Sequence, residues 1–178
     1  MANGLKFQIK EQAGIGFEEL KNIKQFISNY ELLVGIPEEE PSNERKEVPG
    51  TVAITNAELL YIHTNGSVPN NIPARPVIEP ALLNGKEKIT SEMDSIIKSI
   101  SGKDLSIAFT KLKKIGLRVQ NMCRSWFTNP LNNWPPNSYS TRMKKLKKGS
   151  TEPKPLIDTG QLRKSITYVI KTKGGMVK

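Results

Sequence analysis

A single cysteine, Cys123, and a single histidine, His63, stand in 178 residues. One thiol closes no internal disulfide, and one thiol with one imidazole makes no cluster of nitrogen and sulfur ligands for zinc. No metal and no cofactor is expected. Aromatic residues make up only 6%, too few and too scattered for the stacking platform of a single-strand nucleic-acid binder. No stretch approaches the roughly 20 apolar residues of a membrane span, and MANGLKFQIKEQ opens the chain without an apolar run of signal-peptide length. The expectation is synthesis in a reducing cytosol, with no membrane contact and no standard export. The sequon at Asn65, Gly66 and Ser67 then reads as turn chemistry.

What is present is enough for one hydrophobic core. At 178 residues and 37% hydrophobic content, a single domain spanning 1–178 is expected, with much polar surface. The charge is uneven: residues 1–50 carry six Lys/Arg against nine Asp/Glu, and residues 51–178 carry twenty-one against eight, which together give the net +10. Such a chain suits contact with a polyanion. It suits equally well the packing of one subunit's basic face on a neighbour's acidic one.

Hydrophobic spacing orders the elements. Leu5, Phe7 and Ile9 alternate with polar residues, as in a short half-buried strand. Phe17, Leu20, Ile23, Phe26, Ile27 and Tyr30 recur every three or four residues and predict a helix over 17–31. A strand follows over 32–37, then a charged, Pro/Gly-rich projecting loop over 38–50. Thr55 is placed to cap a short helix that Asn65 and Gly66 end. From Arg75 and Pro76 the chain is expected to turn helical, with a break at Gly102. The strongest helix starts near Asp104 and places Leu105, Ala108, Phe109, Leu112, Ile115, Gly116, Val119, Met122, Cys123 and Trp126 on one apolar arc. Residues 128–156 read as a second projecting loop with at most a short helix near 140–147. Asp158 and Thr159, with Gly160 easing the turn, are read as a structural cap of a helical turn through Leu162, after which Ile166, Tyr168 and Ile170 alternate as a closing strand, and the tail KTKGGMVK is expected to fray. The sum is an α+β domain, a small mainly antiparallel sheet packed on one face by long amphipathic helices.

Three motifs invite a chemical reading. LIDTGQ (156–161) resembles the Asp-Thr-Gly site of retropepsin-like proteases, but that chemistry needs two carboxylates sharing a proton and no second such motif occurs. Its plain reading is the helix cap. Cys123 and His63 form a thiol–imidazole pair on paper, yet one lies on an apolar helix stripe and the other at a helix end, both ordinary structural places. AGIGFEEL lacks the Lys-Ser/Thr of a phosphate loop. No catalytic residue is assigned. Lys111, Lys114 and Arg118 line the polar face of the long helix and RMKKLKK adds five positive charges, which would track a phosphate backbone or form a solvated face.

Two further blocks carry a resemblance: IPARPVIEPAL (72–82), and WPPNSYSTRMKKL (134–146) followed by PLIDTGQLRKSITYVI (155–170). In that order they resemble the tail-completion, or virion morphogenesis, family of tailed phages. In that family an "IPARPF…PAL" helix start precedes a tryptophan-proline loop with a Ser/Thr-rich turn, and "PLIDTGQLRNSITY" leads into the last strand. LLYIHTNGS (59–67) is similar to the family's short helix ending in Gly-Ser. The resemblance covers roughly 55–170. Departures are Val77-Ile78 for Phe-Leu, Thr64-Asn65 for an acid-aromatic pair, and Lys164 for a polar residue.

That resemblance implies an α+β fold without enzymatic activity, in a neck or tail-completion subunit, similar to tail terminators, at the head–tail junction of a virion. A homo-oligomeric ring, hexameric to match tail-tube symmetry, is expected to contact the tail tube or the head–tail connector. The alternative is a nonspecific nucleic-acid-binding protein touching the packaged genome end. The candidate interface residues are Lys144, Lys145, Lys147, Lys148, Glu38, Glu39, Glu40, Arg75 and Trp134.

Overall fold

The computed structural model describes residues 3–4, 16–37 and 54–177. The predicted strand at Leu5–Ile9 and the 38–50 loop, with Glu38, Glu39 and Glu40, lie outside them. In chain order the elements are β1 (Asn3–Gly4), α1 (Phe17–Asn29), β2 (Tyr30–Gly35), α2 (Asn56–Asn65), α3 (Ile78–Asn84), α4 (Lys86–Ser101) and α5 (Leu105–Trp126). A 3-10 turn at Pro130–Asn132, α6 (Tyr139–Lys147), α7 (Gln161–Ser165), β3 (Thr167–Thr172) and β4 (Gly175–Val177) complete them. The strands form one antiparallel sheet in the order β1-β2-β3-β4. The fold is the α+β class expected.

Strand β2 and strand β3 pair along their whole length, with Leu32 opposite Ile170 and Val34 opposite Tyr168. Leu32, Val34 and Ile170 are buried on one face, while Glu31 and Lys171 pair on the exposed other face. This is the two-residue alternation of a half-covered sheet. The cover is α5, which lies across both central strands and also packs α3 and α4. Its buried residues Ala108, Leu112, Ile115, Gly116, Val119, Cys123 and Trp126 lie on the predicted arc and Gln120 joins them, whereas Leu105, expected on that arc at the helix start, is exposed. Gly116 lets the helix sit directly on the Tyr168 ring: a Cβ there would lie 2.3 Å from Cδ2 and 2.8 Å from Cγ, so even alanine would push helix and strand apart. Phe26, Tyr30 and Phe109 stack in series, with centroids 4.7 and 5.1 Å apart, and join α1 to α5 through the start of β2.

Buried polar groups tie the layers where sequence periodicity is silent. Gln120 Oε1 accepts from Thr167 Oγ1 at 3.0 Å and from the Tyr168 N–H at 3.3 Å, which fixes the entry of β3 onto α5. Asn56, wholly buried, donates to Ser165 Oγ at 3.0 Å and joins α2 to α7. Arg124 donates to the carbonyls of Lys164 and Ile166, both at 2.8 Å, and so satisfies acceptors left open where α7 ends.

Four expectations are corrected. The helix expected from Arg75 begins at Ile78, because the Arg75 N–H donates to the His63 carbonyl and the Pro76 carbonyl accepts from Trp134 Nε1; Pro80, not Pro76, occupies the first turn. The next helical stretch is also divided at Gly85, where the Met122 side chain fills the place of a Cβ. Asp158 does not cap α7. Gly160 takes the N-cap position at φ +75° and the Gln161 N–H is met by Thr159 Oγ1 at 3.3 Å, while the Asp158 carboxylate turns to Lys148. Through Val177 the tail, expected to fray, pairs as β4: Thr172 pairs Gly175 across a Lys173-Gly174 turn and its hydroxyl donates to the Gly175 carbonyl at 2.9 Å.

Candidate functional site

A concavity of about 690 Å³ opens between the end of α2, the 67–75 turn, the start of α6 and the segment entering α7. The blocks that carry the sequence resemblance meet here. His63 comes from the first, Ile72, Pro73 and Arg75 from the second, Pro136 to Lys145 from the third, and Leu156 to Leu162 from the last. Gly66 makes the first turn, with φ +74° and the Ile72 carbonyl and Ala74 N–H so close that no Cβ would fit. Ser67 and Ile72 then pair across it.

Arg75 is the main clamp. Arg75 is only 6% exposed, and its guanidinium donates from Nε and Nη2 to the Pro135 carbonyl at 3.1 and 2.9 Å and from Nη2 to the Pro136 carbonyl at 3.1 Å. Burial lowers its pKa, because water no longer solvates the charge. Trp134 answers from the other side. Its indole N–H donates to the Pro76 carbonyl at 3.1 Å and its ring stands edge-on to Phe127 at 5.8 Å. The two prolines of WPP present carbonyls without competing N–H groups, which is why a fork-shaped donor reads them well.

Lys145 plays the same part lower down. It donates to the carbonyls of Lys154 at 2.7 Å and Ile157 at 2.5 Å, and burial lowers its pKa. Between those carbonyls Leu156 adopts φ +57°, a left-handed conformation unusual for a bulky residue. Anchors on both sides hold that kink in place. Asn137 donates to the Pro153 carbonyl at 2.8 Å. The 128–156 segment, expected as a projecting loop with a short helix, thus folds back on its own domain: it carries the nine-residue α6, is tied outward to Arg75, Pro76 and Ile157, and is closed on itself by Asn137 and Lys145.

These contacts re-sort the candidate interface residues. Arg75 and Trp134 are buried or half-buried internal clamps, and Lys145 is a third; none offers its polar end to a partner. Lys148 pairs with Asp158 at 3.4 Å in an exposed contact. Lys144 and Lys147 remain exposed on α6, beside the exposed Arg142. On α5 the expected phosphate track is largely occupied: Lys111 donates to the Ser95 carbonyl and Ser99 Oγ at 3.0 and 2.8 Å, and Arg118 pairs with Glu92 at 2.6 Å.

The chemical decoys do not assemble. Cys123 is wholly buried, its thiol pushed up to about 12 by desolvation, and it does not reach the concavity that His63 lines. Asp158 is the only carboxylate among the lining residues, so the shared proton of an aspartic protease has no second partner there. Among the described residues no group of three or more His, Cys, Asp or Glu side chains is arranged to hold a metal ion. Asn56, Gln120 and Arg124 escaped the sequence reading. Gln120, a lone amide beside the apolar run of Val119 and Cys123, was the one visible signal. Comparison with protein-family models, with curated proteins and with solved structures finds no match.

Proposed function

We propose that the chain is a noncatalytic morphogenesis component of a tailed phage or prophage, a neck or tail-completion subunit at the head–tail junction that works as a homo-oligomeric ring. One observation carries this reading beyond the sequence resemblance. Blocks up to about 100 positions apart in the chain close around one concavity and hydrogen-bond to one another through Arg75, Trp134 and Lys145. A chance match of short motifs gives no reason for such convergence. The polar side chains of the concavity act as internal anchors, which suits a rigid assembly subunit better than a reacting centre. Contact with the tail tube, the connector and neighbouring copies belongs to the same proposal, as does a location in the virion.

The test is genetic and morphological. Deleting the coding sequence from the phage or prophage genome should leave filled heads and separate tails visible by electron microscopy, and supplying the chain in trans should restore joined particles. Normal infectious particles from the deletion would discard the reading.

A further inference from the structure

Among the described residues, helix α6 is the one helix of eight or more residues in which no residue is buried. Ser138 caps its start and Lys145 pins it to the domain, yet Tyr139, Met143 and Leu146 are 78%, 36% and 43% exposed. Their spacing of four and three places them on one stripe, roughly 130° around the helix from Lys145. The apolar face is therefore turned away from the anchoring side chain. Arg142 and Lys147 flank the stripe on its two sides, with Lys144 farther round, and among the described residues none of the three enters an ion pair.

Resting on the assembly reading above, we infer that this stripe is a docking face for the acidic segment 38–47 of a second copy of the chain. Phosphate would reward the lysines and leave the apolar stripe wet. An anionic bilayer would engage both, but nine residues make an anchor only about 13 Å long, well short of most surface-binding helices. The chain's own EEEPSNERKE, with five acids against two bases, supplies the missing chemistry. Glu38, Glu39 and Glu40 match the flanking cations, and Pro37 and Pro41 give flat apolar rings suited to Tyr139. Unlike surfaces meeting in this way repeat head to tail, the contact a ring requires.

The experiment uses the full-length chain at low salt, with self-association followed by sedimentation from micromolar to about 1 mM. Tyr139→Ser, Met143→Ser and Leu146→Ser together should weaken association at least about tenfold without moving the melting temperature, since none is buried. Arg142→Glu with Lys147→Glu should weaken it similarly, as should Glu38→Lys, Glu39→Lys and Glu40→Lys together. Mixing these two charge-reversed proteins should then restore association, because each supplies the face the other lacks. A wild-type chain that stays monomeric throughout, an unaffected stripe variant, or a mixture that fails to associate overturns the inference. So does binding of α6 to phosphatidylserine vesicles or duplex DNA with no self-association. The particle phenotype of the deletion is read separately, so failure here with unjoined heads and tails there would discard this surface and keep the assembly role.

Discussion

Helices α5 and α6 are both rich in lysine and arginine, yet they do opposite things with their apolar sides. On α5 the arc from Ala108 to Trp126 is covered by the sheet and by α3 and α4, and the neighbouring cations are drawn back onto the domain, Lys111 to α4 and Arg118 to Glu92. On α6 the apolar stripe and its cations both face outward. Basic composition alone therefore does not distinguish a structural helix from a docking one. What distinguishes them is whether the apolar face is covered, and only tertiary structure reports that.

The sharpest way to break this contrast is truncation on each helix. Ile115→Ala on α5 removes a side chain 2% exposed and should cost about 2–5 kcal/mol, whereas Met143→Ala on α6 should stay within about 0.5 kcal/mol. Chemical denaturation of both variants decides it; comparable losses would mean that α6 contributes to the core. The next effect concerns the clamp that orients α6. Arg75→Lys keeps the charge but cannot present two donors to Pro135 while reaching Pro136, so a loss of about 2 kcal/mol is expected despite the conservative exchange. An unchanged midpoint would show that charge alone holds the WPP turn.

Cys123 gives a smaller effect that depends on pH. Its folded-state pKa, raised to about 12, lies above that of an exposed thiol, so burial of the neutral thiol stabilises the fold fully below the unfolded value. That contribution is lost as pH rises from about 9 towards 12. Iodoacetamide at pH 8 should leave the native thiol unmodified and label it on unfolding, and rapid native labelling would contradict its place on the covered face of α5. Least of all is expected from Asp158→Ala. Its ion pair with Lys148 joins side chains 56% and 69% exposed, so the change should lie within about 0.5 kcal/mol. A loss near 1 kcal/mol in thermal unfolding would restore the capping role first read from its position before α7.

Much of this was legible in the chain. The periodicity of Leu112, Ile115, Val119 and Cys123 has one physical solution, a long helix on an apolar layer, and Thr55 caps the start of α2 as expected, with Glu58 returning the bond to the Thr55 N–H as a contact the sequence reading did not name. The concavity was legible only as motifs, because its geometry depends on backbone carbonyls. Pro135, Pro136, Lys154 and Ile157 contribute acceptors that no residue type reveals, and so Arg75 and Lys145 read as surface cations when they are internal donors. Asp158 misled for a related reason: a short carboxylate before a helical turn usually caps it, but Gly160 at φ +75° gives the backbone another route. The outward stripe of α6 was hidden inside YSTRMKKLKK, where Tyr139, Met143 and Leu146 are diluted by polar and charged residues.

The central claim is a ring of this chain at a head–tail junction, and electron cryomicroscopy of assembled particles tests it most directly. The account predicts density for the α+β domain repeated around the tail axis between head and tube, six copies to match the tube, with α6 of each copy against its neighbour. Intact particles that lack the chain, or hold a single copy away from that junction, would contradict it.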